Sequence, residues 1–183
     1  EELYEYRHLI TEPATSWIAA EMSRGQKLGF DPKLLTPNQY DSYKAATRKI
    51  GVDLVSVELN PIDQIWEDQP APPEGIIVAH EERFTGRSHE DKSAEISAIL
   101  KSNGQDCVFI SAPDSIAWLL NVRGSDLEMT PLPLSYAILH DSGATEWFVS
   151  SAKLTNSLIQ ELGDSVTTAD PETLGHALDK LGQ

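Results

Sequence analysis

The 183 residues carry 14 basic and 29 acidic side chains, a formal charge of −15, with 40% hydrophobic content. The hydrophobic share excludes a disordered chain and permits a packed core without disulfides, while the acidity argues against nucleic acid and anionic membranes, which need clustered Lys and Arg. Cys107 is the single cysteine, so no intrachain disulfide can form, and no apolar run reaches the roughly 18 residues of a membrane span.

The chain opens on EELYEY without a methionine, as a fragment, a processed chain or a trimmed one would. No signal-peptide pattern is present, so the expected compartment is the cytoplasm. Thr11-Glu12-Pro13 predicts a helix start with Thr11 as N-cap, closed near Gly25. LGF follows as a short strand. Thr36-Pro37-Asn38-Gln39 has the form of a capping box: hydroxyl cap, proline at N1, Gln at N3. Its helix should run to Ile50, with Gly51 in the left-handed position beyond. VDLVSVE, residues 52–58, alternates as a strand does. DQPAPPEG, residues 68–75, holds three prolines and a glycine, the composition of an extended spacer. The expected organisation is therefore 1–66, a linker at 67–75, and a second domain at 76–183.

In the second part, IIVA is a short apolar run. Ser88 to Asp91 caps a helix ending at Asn103-Gly104. DCVFIS reads as a buried strand, with Cys107 a small core hydrophobe. Asp114 is the expected N-cap of SIAWLLN. LSYAILH and ATEWFVS form a hairpin through His140-Asp141-Ser142-Gly143. A helix over 153–162, the strand SVTTA and a helix from Pro171 complete the chain. Helices interspersed with a hairpin give an α/β fold, a mixed β-sheet flanked by helices. The stretch around Asp31-Pro32 faintly echoes that around Asp170-Pro171: strand, Asp-Pro, helix, glycine.

The five histidines, 8, 80, 89, 140 and 176, provide no metal-binding spacing, and the single cysteine excludes a zinc ribbon. There is no nucleophile elbow and no phosphate loop. The richest stretch is DSIAWLLNVRGSD, residues 114–126. Asp114 and Asp126 could flank a magnesium site of ribonuclease H type, but such a site needs more converging carboxylates. The residues read better as structure. Trp118 is expected in the core, with Ile116, Leu119 and Leu120. Asn121 ends the helix in the left-handed conformation, and Arg123 closes a turn onto Asp126.

That same stretch resembles the signature of the second non-catalytic domain of three-domain Xaa-Pro aminopeptidases (aminopeptidase P). GFDPKLLT, NPIDQIWEDQPAPP, FTGRSHEDKSAEI, LPLSYAIL and TEWFVSSAKLT resemble further segments of the family, in family order. The resemblance implies a creatinase/prolidase N-terminal (ribonuclease-H-like) fold, with residues 1–66 the last part of one such domain and 76–183 a second. It implies a parent enzyme whose missing C-terminal pita-bread domain holds two divalent metals, usually manganese, and releases the residue preceding proline from peptides. This chain then has no catalytic residue, no metal and no cofactor of its own. Its partner is that catalytic domain, and Trp118, Asn121, Arg123 and Asp126 become the interface and substrate-access candidates. An unpaired strand edge in residues 1–66 would favour a homodimer. The rival reading is a non-enzymatic scaffold of aminopeptidase-P-like form, as in histone chaperones of the FACT complex, whose basic partner would suit the charge.

Overall fold

The computed structural model describes residues 3–182; Glu1 and Glu2, the start of EELYEY, and Gln183 lie outside the described residues. Contacts divide the chain between Pro70 and Ala71, inside the proline-rich stretch.

The first unit holds α1 (Ala14–Glu21), β1 (Lys27–Phe30), α2 (Pro37–Ile50), β2 (Asp53–Ser56) and α3 (Pro61–Ile65). Its centre is a β-α-β unit in which β1 and β2 pair in parallel, from Lys27 opposite Asp53 to Phe30 opposite Ser56. The crossover helix α2 forms where local chemistry demands. Thr36 Oγ1 accepts the Gln39 N–H, and the Gln39 side chain accepts the Thr36 N–H. Gly51 stops the helix at φ +73°, a conformation that costs other residues more. After β1, Asp31 accepts the Lys33 N–H at 2.8 Å and the Asn60 side-chain N–H at 2.9 Å. Asn60 also accepts the Ile62 N–H at 2.9 Å and so caps α3.

The second unit adds β3 (Val78–Ala79), α4 (Glu82–Thr85), α5 (His89–Ser102), β4 (Cys107–Ile110), α6 (Pro113–Leu119), β5 (Val122–Arg123), β6 (Tyr136–His140), β7 (Thr145–Phe148), α7 (Asn156–Leu162), β8 (Val166–Ala169) and α8 (Leu174–Leu181). The fold is α/β, with a mixed sheet of order β4-β6-β7-β8. The first two pairings are antiparallel and β7-β8 is parallel. A separate ribbon pairs β3 with β5, Val78 opposite Arg123. Strand alternation sends Val108, Ile110, Ala137, Leu139 and Trp147 to one face. They pack there with Ile116 and Leu119 of α6, Leu158 and Leu162 of α7, and Ile77 and Val122 of the ribbon. Trp147 is wholly buried, and its indole N–H donates to Ser135 Oγ at 3.0 Å. The echo between the two units has a local counterpart: Asp170 accepts the Glu172 N–H at 2.9 Å, as Asp31 does two residues on.

Several local expectations need correction. The first helix begins at Ala14 with Pro13 at its cap, and no side chain bonds there. Thr11 belongs to the preceding turn, its N–H donated to His8 Nδ1. Asp114 is not a cap either. Pro113 takes the first helical position, so Ala112 is the N-cap and Asp114 sits in the first turn, where its negative charge interacts favourably with the positive end of the helix dipole. The region 153–162 is a 3₁₀ turn, Ser151–Lys153, followed by α7 capped by Thr155. β4 is an edge strand: Phe109 is exposed and Cys107 only partly covered.

Candidate functional site

The segment 114–126 is built by α6, the turn at Asn121, the two residues of β5 and the loop after it. Helix α6 buries Ile116 and Leu119, three apart, and Leu120 follows on the same face. Trp118 lies between these positions, on the other side of the helix. It is 49% exposed, which corrects the core expectation. It lines an open groove together with Ile96, Ile110, Asp114, Ser115 and Leu119.

Asn121 takes φ +52°, the left-handed turn expected of it. Its side chain is committed: Nδ2 donates to the Arg87 carbonyl at 2.8 Å, and Oδ1 accepts from Lys92 Nζ. Lys92 is 1% exposed, on the α5 face that also carries Ile96 and Leu100. Its ammonium further donates to the Trp118 carbonyl at 2.8 Å and stands 4.6 Å from the centre of the Trp118 ring. Among the described residues, no carboxylate bonds it. Burial holds its pKa below the usual lysine value, and the neighbouring Arg123 and Arg87 charges push the same way.

The turn expected to pair Arg123 with Asp126 is made otherwise. Asp126 points inward, its side chain fully buried, and binds Lys153 Nζ at 2.6 Å. The same carboxylate accepts the Gly75 N–H at 3.1 Å and the Leu134 N–H at 2.6 Å. It therefore gathers the start of the second unit, the loop before β6 and the turn after β7. A buried carboxylate takes its partner where its remaining lone pairs are also satisfied, and here that partner is the equally buried Lys153. Gly124 explains itself by contact: a Cβ there would lie 2.7 Å from Pro133 N. Arg123 is left half-buried, donating to the Val122 carbonyl at 2.8 Å. Among the described residues it has no ion-pair partner.

Of the four candidates, Asn121 and Asp126 are thus structural anchors, while Trp118 and Arg123 face outward. Lys92 and Lys153, both central to this wiring, have no role among the sequence expectations. A lysine at helical spacing with Ile96 and Leu100 was the available signal for the first. Among the described residues, no group of three or more His, Cys, Asp or Glu could hold a metal ion, and no helix is long and apolar enough to cross a membrane.

A family model for the creatinase/prolidase N-terminal domain matches residues 68–183. A probable Xaa-Pro aminopeptidase P of Coccidioides posadasii is 34% identical over 168 residues, 91% of this chain and 26% of the relative. One from Aspergillus flavus is 34% identical over 151 residues, 82% of this chain and 23% of the relative. Among solved structures, X-prolyl aminopeptidase from Caenorhabditis elegans, described as a cytosolic enzyme with a di-nuclear active site, superimposes with a TM-score of 0.79 at 26% identity. The match covers 91% of this chain and 27% of that enzyme. The chain spans about a quarter of the length of the curated relatives it matches.

Proposed function

The chain belongs to the creatinase/prolidase N-terminal domain family, and on that premise we propose that it is the non-catalytic N-terminal region of a cytoplasmic, metal-dependent Xaa-Pro aminopeptidase. The observation that carries the reading is the likeness, over 91% of this chain, to 27% of an X-prolyl aminopeptidase. Its work is to pack against the catalytic domain and narrow the approach to that domain's cleft, so that peptides with proline in second position enter by their N-terminus. The family implies two divalent metals, manganese in the expected form. The described residues do not assemble a ligand set for them, so the reading assigns both to the adjoining domain and takes no catalytic step through this chain.

Trp118 and Arg123 are the groups available for that packing, because Asn121 and Asp126 are spent on the fold. The scaffold reading rests on a different observation, the charge of −15, and would replace the catalytic domain with a basic protein. One experiment separates the two. The 183-residue chain, supplied with manganese and an Xaa-Pro peptide, should be inert. Mixed with the polypeptide encoded downstream of it, it should form a complex that cleaves the peptide. Turnover by the chain alone, or tight binding only to basic proteins, would overturn the reading.

A further inference from the structure

The β3–β5 ribbon has an inner and an outer face. Ile77 and Val122 point into the core and are fully buried. Alternation sends Ile76, Val78 and Arg123 the other way, and Val78 stands directly opposite Arg123 in the pairing. Ile76 and Val78 are 52% and 55% exposed, an unusual pair of aliphatics to leave in water on one short ribbon. Arg123 rises beside them, and Trp118 lies beyond Lys92, whose ammonium covers the indole ring.

Two of the cations near this face, Arg87 and Lys92, are already satisfied. Arg87 is matched by Glu95 at 2.6 Å, and Lys92 is satisfied by neutral oxygens. Asp126, three residues from Arg123, is turned inward to Lys153. Among the described residues, Arg123 alone of the trio has free guanidinium donors and no carboxylate. In a chain with twice as many acids as bases, an arginine left unmatched among exposed apolar side chains is a specific feature. Tryptophan and arginine, framed by aliphatics that exclude water, are the composition of interface centres.

We propose that the outer face of the β3–β5 ribbon is a protein-docking surface, and that its occupant presents an aspartate or glutamate side chain to Arg123 within an apolar surround. This deepens the function proposed above and rests on it: the occupant is the surface of the adjoining catalytic domain. The guanidinium fork takes such a carboxylate in a two-pronged bond that lysine cannot reproduce. Apolar contact by Ile76 and Val78 strengthens that bond by removing water from it.

The test uses the 183-residue chain and the separately produced downstream polypeptide, with association measured by calorimetry at low and high sodium chloride. Arg123→Gln should weaken binding about tenfold or more. Arg123→Lys should recover only part of that loss. Salt should weaken the parent complex and leave the Arg123→Gln complex nearly unchanged. Thermal melting of the free variants checks that the half-buried side chain is not needed for folding. Equal affinity and equal salt dependence for parent and Arg123→Gln would overturn the carboxylate and leave the docking reading intact. A folded parent chain that does not associate would overturn both.

Discussion

Lys92 and Asn121, 29 residues apart, are joined by a buried bond from the lysine ammonium to the asparagine Oδ1. The bond ties helix α5 to the turn that delivers β5, and it fixes a residue held at φ +52°. Asn121→Ala should destabilise the second unit by about 2–3 kcal/mol, because it leaves a buried ammonium and the Arg87 carbonyl short of partners. Urea unfolding of parent and variant measures the difference. Asn121→Gly keeps the left-handed turn accessible, so a loss of similar size would assign the effect to the bonds.

Lys92 also makes a pH prediction. Its folded pKa lies below the ordinary 10.5, through burial first and then Arg123 and Arg87. The unfolded chain therefore binds that proton more tightly, and the penalty on folding is fully present below the folded pKa. As pH rises through the folded pKa toward 10.5, the penalty is relieved. Stability of the parent relative to Lys92→Met should climb over that window. A flat difference between the two proteins would show that the buried amine carries no such linkage.

The Asp126–Lys153 pair is buried on both sides. Asp126→Ala should cost about 3–5 kcal/mol, since it strands the lysine charge and the N–H groups of Gly75 and Leu134. The double variant Asp126→Ala, Lys153→Met should lose less than Asp126→Ala alone. A double-mutant cycle by denaturant unfolding reads the coupling directly.

Asp31 has its carboxyl held below the ordinary 3.8 by the Lys33 N–H first and the Asn60 side chain second. The associated stability is present above 3.8 and is lost as pH falls through the lower folded value. Asn60→Ala, which removes one of the two donors, should shift acid unfolding of the first unit to higher pH. Circular dichroism during acid titration follows it.

Gly124→Ala should cost about 1–3 kcal/mol by overpacking, since the added Cβ meets Pro133 backbone at 2.7–2.9 Å. Gly143, with nothing within 4 Å of its Cβ position but φ +93°, is the control. There an alanine meets strain without a clash, and thermal melting should show the smaller loss.

What the sequence made legible was local. The Thr36 capping box and the Gly51 stop depend on residues three apart and one turn apart, and both stand as expected. The 139–145 hairpin follows from alternation and a glycine turn. The short helices α3 and α4, of five and four residues, carry too few turns to show a period. The turn at Asn121 was legible and the wiring of the segment was not. Within DSIAWLLNVRGSD, Asp126 finds Lys153 27 residues on, and Asn121 finds Lys92 29 residues back. No spacing rule encodes such pairs. Trp118 was misjudged because apolar company in sequence was taken for apolar company in space, where three- and four-residue spacing decides.

The uneven burial of the tryptophans gives the protein a built-in optical reporter. Trp147 is at 0% exposure, while Trp17, Trp66 and Trp118 are at 45%, 46% and 49%. A dry indole emits at shorter wavelength than a wet one, so the red shift on denaturation comes mainly from Trp147 and chiefly records the second unit. The first unit, with Trp17 and Trp66 already half exposed, contributes a smaller shift. A partner that settles over Trp118 would do the opposite and move emission to the blue. Unfolding and docking thus shift one spectrum in opposite directions, and both can be followed in the unlabelled chain.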